Sequence, residues 1–170
     1  MDRHVLSVLV KNSSGVLTRV AGLFARRGFN IDSLTVGRTE DAQISRMTIA
    51  LMGDEDILEQ VIKQLNKLED VQRVVELHPQ QSVYRELVLI KVRATAENRA
   101  AINEVVKIFR SKIIDVSVNA VTIELTGDES KINALIKLMQ EYGIQELVRT
   151  GLSGLERGDT DITNYGEYFN

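Results

Sequence analysis

The sequence predicts an α+β protein made of two tandem βαββαβ units, and three observations predict it. Apolar residues recur at strand and helix periods in twelve segments, eight strands and four helices. The order of those segments in the first half returns in the second. The only proline, Pro79, falls between the halves. The 170 residues are 44% apolar and 26% charged, with a formal net charge of −3, which suits a soluble globular chain of one or two domains.

His4 to Val10 is a nearly continuous apolar run suited to a central strand, apolar on both faces. Asn12-Ser13-Ser14-Gly15 then supplies residues that cap helices or accept unusual dihedrals. Val16, Val20, Leu23 and Phe24 follow at helical spacing, and Gly28 stands where that helix should stop. Ile31 to Val36 reads as a second strand. Met47, Ile49 and Leu51 alternate with Arg46, Thr48 and Ala50, the pattern of a half-buried third strand. Asp54 is placed to cap a helix, with Glu55 and Asp56 in a first turn where the dipole favours negative charge. Ile57, Val61, Ile62, Leu65 and Leu68 form its apolar face, and Val71 to Leu77 gives the fourth strand.

His78-Pro79-Gln80-Gln81-Ser82 reads as a linker, because proline cannot donate to a strand ladder. Beyond it Leu87 to Val92 is a strand, again apolar on both faces. Ile102, Val105, Val106 and Phe109 mark a helix. Ile114, Val116 and Val118 alternate with polar residues, as do Val121, Ile123 and Leu125, giving two more strands. Asp128 caps a helix carrying Ile132, Leu135, Ile136 and Met139, closed by Gly143. Ile144 to Val148 completes the second unit. Gly151, Gly154 and Gly158 suggest a tight irregular turn. The acidic stretch from Asp159 reads as a mobile tail, although Tyr165, Tyr168 and Phe169 would let it dock.

A βαββαβ order gives an antiparallel four-stranded sheet with both helices on one face, the ferredoxin-like arrangement. The other face is left bare, and modules of about 80 residues are near the lower limit for a self-sufficient core. Burial of that face by another domain or another chain is therefore expected. The boundaries read as 1–78, a linker at 79–82, a second domain at 83–158, and a tail at 159–170.

Several functions are excluded or disfavoured. Without cysteine there is no disulfide, thiolate metal site or cysteine nucleophile, and His4 and His78 are too few for a histidine-rich site. No apolar run approaches the roughly 18 residues a membrane span needs. Met1-Asp2-Arg3-His4 leads directly into a strand and resembles no signal peptide, so a cytoplasmic location is expected. No Walker loop, dinucleotide loop, nucleophile elbow or zinc-protease motif occurs. Asp54, Glu55 and Asp56 are explained as a cap, and His4 as a surface or packed histidine. The loop after the first strand lacks the arginine an acylphosphatase would need. RNA-binding domains share this topology but stack bases on aromatic residues of two central strands. The matching strands here carry none, and the sequence pI near 5.5 opposes phosphate binding.

What remains is the loop Lys11-Asn12-Ser13-Ser14-Gly15-Val16-Leu17. Amide groups at a helix N-terminus attract anions without a cationic side chain, and Gly15 lets a ligand approach the backbone. Asn12 and Asn30 offer hydrogen bonds to an ammonium or carboxylate, while Val16, Leu17 and Ile31 offer apolar contact. A small aliphatic amino acid fits that set, and a simple capped turn is the plainer alternative.

Leu6 to Val20, Gly22 to Leu34, Ser45 to Thr48, Gln60 to Leu68, Phe109 to Val116 and Arg149-Thr150-Gly151 together resemble the small regulatory subunits of acetohydroxyacid synthase, also called acetolactate synthase. The first half resembles their ACT domain. The resemblance implies a non-catalytic chain without a cofactor of its own, bound to a catalytic subunit that carries thiamine diphosphate, magnesium and FAD. It implies activation of that subunit and feedback inhibition by valine, or by leucine or isoleucine, in branched-chain amino-acid synthesis. It further implies a homodimer through the ACT domains with the effector between them. Asn12, Gly15, Val16 and Leu17 would come from one chain, and Asn30 and Ile31 from its neighbour. A free-standing ACT-type sensor acting on another partner is the alternative. Neither reading involves nucleic acid or a membrane.

Overall fold

The computed structural model describes residues 2–163. The first unit contains strand β1 (Asp2–Lys11), helix α1 (Val16–Arg26), strands β2 (Ile31–Arg38) and β3 (Ile44–Gly53), helix α2 (Glu55–Leu65) and strand β4 (Val71–Glu76). Its antiparallel sheet has the order β2-β3-β1-β4. Alternation decides the packing. Leu6, Val8 and Val10 of β1 face the helices, with Met47, Ile49 and Leu51 from β3. Val16, Val20, Leu23 and Phe24 of α1 join them, as do Leu58, Val61 and Leu65 of α2. Leu58 belongs to this core although it was not among the helix positions expected from the sequence. Asp54 caps α2 by accepting from the Ile57 amide at 3.0 Å. Gly28 ends the α1 turn at φ 69°, a backbone that glycine adopts without the usual steric cost.

The second unit follows the same plan with β5 (Ser82–Arg93), α3 (Arg99–Ile108), β6 (Lys112–Val116), β7 (Ala120–Gly127), α4 (Glu129–Gln140) and β8 (Ile144–Arg149). The sheet order is β6-β7-β5-β8. Val88, Ile90 and Val92 pack with Ile102, Val106, Val121, Ile123, Leu125, Ile132, Leu135 and Met139. Asp128 caps α4 through the Lys131 amide at 2.8 Å. Glu86, 6% exposed, receives both Nε and Nη2 of Arg149 at 2.7 and 2.8 Å, and Asn133 accepts from Nη1 of that arginine. Hydrogen bonding to Glu86 raises the Arg149 pKa above its ordinary value, so the guanidinium stays charged.

The structure differs from the sequence expectations in instructive places. β5 alternates between buried and half-buried residues, so it is apolar-in on one face only. β3 is buried on both faces, because Thr48 and Ala50 are as inaccessible as Met47 and Ile49. Ile114, Val116 and Val118 are 50–83% exposed and Ile113 takes the core position. A register shift between Ile113 and Asp115 breaks the simple alternation there. Residues 79–81 form a 3-10 turn, and Ser82 already begins β5.

The largest departure concerns the chain after Gly151. Residues 153–156, expected as an irregular turn, form strand β9 (Ser153–Glu156), which pairs with β5. The described residues divide into a unit of 2–84 together with 152–163, and a unit of Arg85–Gly151. Residues 152–158, assigned from sequence to the second domain, pack with the first unit in this division. Leu152 and Ile162 are both 4% exposed and pack with Val5, Leu9, Ala50, Val75 and Leu77 on the sheet face opposite the helices. Leu152 donates its amide to Ser33 Oγ, and its carbonyl accepts from Thr35 Oγ1. Arg157 donates its amide to the Gln81 carbonyl at 2.7 Å. The face expected to be covered by another domain or chain is thus partly covered by the same chain's own C-terminal segment. A mobile tail from 159 does not describe Ile162, and Tyr165, Tyr168 and Phe169 lie outside the described residues.

Gly154 makes this packing close. A β-carbon there would stand 2.9 Å from Leu77 Cδ1 and 2.9 Å from Tyr84 Cδ1. Tyr84 is fixed by its hydroxyl, which donates to the Leu77 carbonyl, and burial raises its pKa. Overpacking of this kind costs about 1–3 kcal/mol. Gly154→Ala is therefore expected to lower the thermal midpoint by several degrees in calorimetry, and an unshifted midpoint would show that the segment yields freely.

Candidate functional site

The loop joining β1 to α1 is a stiff turn and not an open strap. Gly15 is the N-cap of α1 at φ 83° and ψ −9°, and no side chain caps the helix. The Arg19 amide closes the first helical bond on the Gly15 carbonyl at 3.0 Å. The remaining first-turn amides lie beside an exposed glycine, in the positive field of the helix N-terminus. Lys11 donates its amide to Asp70 O at 2.9 Å, and Asn12 donates its own to Gln43 O at 2.7 Å, so the entry to the turn is pinned.

Each residue expected at the site can now be placed. Asn12 also donates Nδ2 to the Ala42 carbonyl at 2.8 Å. That bond commits its amide nitrogen to the β2–β3 turn, and Oδ1 is the atom suited to accept from an ammonium. Val16 is 3% exposed and packs in the core, so its side chain offers no apolar contact to a ligand and only its amide belongs to the turn. Leu17 is 46% exposed and is the apolar group beside the turn. Asn30 is exposed just before β2, and Ile31, half-buried, opens that strand opposite Leu51.

The structure brings Asn12, Gly15, Val16 and Leu17 together and holds Asn30 and Ile31 apart from them. Gly15 precedes an 11-residue helix and Asn30 follows it. At 1.5 Å per residue the helix separates them by about 16 Å. No valine-sized molecule spans that distance within one chain.

Sequence reasoning missed Arg19 and Asp70. Arg19 Nε donates to Asp70 Oδ2 at 2.6 Å, and Arg19 Nη1 lies 2.9 Å from where a Gly15 β-carbon would stand. A guanidinium thus overhangs the bare side of the glycine. The signal was available, since residue 19 follows residue 15 by one helical turn and shares its face. Asp70 is too distant in sequence to have been paired with it.

Other features carry structural roles. His4 is 6% exposed and donates Nδ1 to Glu76 Oε1 at 2.9 Å, a packed histidine. Asp54 caps a helix, as its position suggested. Among the described residues no group of three histidine or acidic side chains is disposed to hold a metal, and no helix is long and apolar enough to cross a membrane.

Comparison with known proteins gives the same family for both units. Residues 6–73 match the model of the AHAS small subunit-like ACT domain, and residues 85–158 match that of the small subunit of acetolactate synthase. The chain is 55% identical over 157 residues to a probable acetolactate synthase small subunit of Archaeoglobus fulgidus, covering 92% of this chain and 98% of that one. It is 52% identical over 162 residues to the acetolactate synthase small subunit of Mycobacterium leprae, covering 95% and 96%. The crystal structure of the acetolactate synthase small subunit from Thermotoga maritima superposes with a TM-score of 0.88 at 44% identity, over 94% of this chain and 100% of that one. An ACT-type first unit, a second βαββαβ unit and this degree of identity over nearly the full length leave one assignment: the chain belongs to the acetolactate synthase small (regulatory) subunit family.

Proposed function

We propose that this chain binds a catalytic acetolactate synthase subunit in the cytoplasm, raises its activity and makes it subject to feedback inhibition by valine. The catalytic chemistry, with its thiamine diphosphate, magnesium and FAD, resides on that partner. This chain contributes no cofactor and no reacting group. The observation that best supports the reading is the Gly15 turn. First-turn amides without a side-chain cap, the Asn12 Oδ1, the Arg19 guanidinium and exposed Leu17 supply complements to a carboxylate, an ammonium and an aliphatic side chain.

Two chains complete the site in this reading. Asn30 and Ile31 lie about 16 Å along α1 from Gly15, so they serve the turn of a neighbour. β2 is an edge strand with Val36 47% exposed, and its free edge suits extension by a dyad-related copy. An effector binding at roughly 0.1 mM needs between about 4.1 and 8.2 kcal/mol. Burying an isopropyl group contributes about 1.5–3 kcal/mol, and the helix N-terminus about 0.3–1 kcal/mol. The hydrogen bonds of Asn12, Asn30 and Arg19 supply the rest. Coupling of about 1–3 kcal/mol between valine and the catalytic subunit is enough for a several-fold effect, and linkage requires that the catalytic subunit alter valine affinity by the factor by which valine alters affinity for that subunit.

Reconstitution with the catalytic subunit across a valine titration tests this. Activation in the absence of valine and its decline on addition are expected; activation that is indifferent to valine, leucine and isoleucine would refute the effector role. Asn30→Ala is expected to weaken valine binding by about 1.5–3 kcal/mol, since it removes a bond to a charged group. Calorimetry showing unchanged affinity would remove Asn30 from the site.

A further inference from the structure

We propose that Asp70 is a built-in competitor for the effector carboxylate at Arg19, so that this ion pair sets effector affinity; the inference rests on the effector reading above. Arg19 is committed to Asp70 through Nε at 2.6 Å, while Nη1 and Nη2 lie 2.9 and 4.0 Å from the β-carbon position of Gly15. One edge of the guanidinium therefore meets Asp70 and the other overhangs the bare glycine and the first-turn amides. The Asp70 side chain is 18% exposed and that of Arg19 is 49% exposed, so the cation is only partly neutralised and remains reachable from solvent. A carboxylate arriving at the Gly15 amides lands beside a cation that already has a carboxylate partner. The two anions share one guanidinium, and each lowers its attraction for the other.

The arrangement also ties the pair to the sheet. The Asp70 backbone carbonyl accepts from the Lys11 amide at the end of β1, and Val71, the next residue, begins β4 opposite Val10. The register of the β1–β4 pair shifts between Leu9 and Val10, beside this junction. Changing the hold of Arg19 on Asp70 thus acts where two strands and α1 converge. The backbone bond does not depend on the carboxylate, so Asp70→Asn removes the charge and leaves the junction in place.

Opposite signs at the two partners distinguish competition from a merely structural ion pair. Valine is titrated calorimetrically into the full chain, its Asp70→Asn variant and its Arg19→Met variant, with thermal midpoints measured in parallel. Competition predicts that Asp70→Asn lowers the valine dissociation constant by about two- to five-fold, the range of a part-exposed ion pair. It predicts that Arg19→Met raises the constant by about tenfold or more. A structural pair predicts weaker binding in both, and that result, or an unchanged constant in Asp70→Asn, overturns the proposal while leaving the effector reading intact. Absence of binding of valine, leucine and isoleucine to the unmodified chain overturns both. Should Asp70→Asn unfold, Asp70→Ser is read by the same signs.

Discussion

Gly15→Asp is expected to abolish valine inhibition while leaving activation of the catalytic subunit intact. The φ of 83° at Gly15 is one that a side chain tolerates at a cost of about 1–2 kcal/mol, and aspartate is among the residues that accept it most readily. The new β-carbon would meet Arg19 Nη1 at 2.9 Å, the far end of a flexible side chain that swings aside. The fold should therefore survive. The effector site should not, because the introduced carboxylate pairs with Arg19 and fills the place of the valine carboxylate. Assays with the catalytic subunit should show full stimulation and no response to valine at concentrations that silence the unmodified complex. Unaltered valine sensitivity in a folded variant would remove the Gly15 turn from the account.

Leu152→Ala is expected to destabilise the first unit by about 2–5 kcal/mol, the range for a large-to-small change in a core. Leu152 is 4% exposed against Val5, Leu9, Ala50, Val75 and Leu77, and its backbone is tied to Ser33 and Thr35 of β2. Removing its side chain leaves a hole over a sheet whose central strand is apolar on both faces. Leu155, 55% exposed on β9, which Leu152 immediately precedes, is the control, and its replacement by alanine should change stability by no more than about 0.5 kcal/mol. Denaturant unfolding of the two variants measures the difference. Equal stability would mean that the Leu152 side chain does not seal the sheet.

Most of the fold was legible because its elements announce themselves locally. Val16, Val20, Leu23 and Phe24 repeat at helical spacing, Asp54 and Asp128 sit where caps must, and Gly28 and Gly143 adopt the positive φ that ends a helix. β9 was not legible, since four residues containing a glycine carry no periodicity. Its stability comes from Leu77 and Tyr84, some 70 residues earlier. Buried polar residues misled for a similar reason. Thr48 reads as a solvent-facing position until the C-terminal segment covers that side of the sheet.

The candidate site was legible to the extent that backbone chemistry is written in sequence. Glycine at a helix start exposes amides wherever it occurs, and Asn12 is close enough along the chain to join it. The Val16 side chain, expected to offer apolar contact to a ligand, fills the core instead, because periodicity shows that a residue is apolar and leaves open which surface it fills. Arg19 and Asp70 were missed because an ion pair 51 residues apart has no local signature. The proposed pairing of the Gly15 turn with Asn30 of a neighbour rests on the resemblance, since no single chain could display it.

That pairing is tested most directly by counting valine sites in mixed dimers of a Gly15→Asp chain and an Asn30→Ala chain, isolated by differential tags and titrated calorimetrically. When each site draws its turn from one chain and its asparagine from the other, both defects fall in one site and the second is wholly native. The mixed dimer then recovers one valine site of native affinity, although neither parental dimer has any. A mixed dimer with no native-affinity site would contradict the account, because it would place Gly15 and Asn30 in the same site of the same chain.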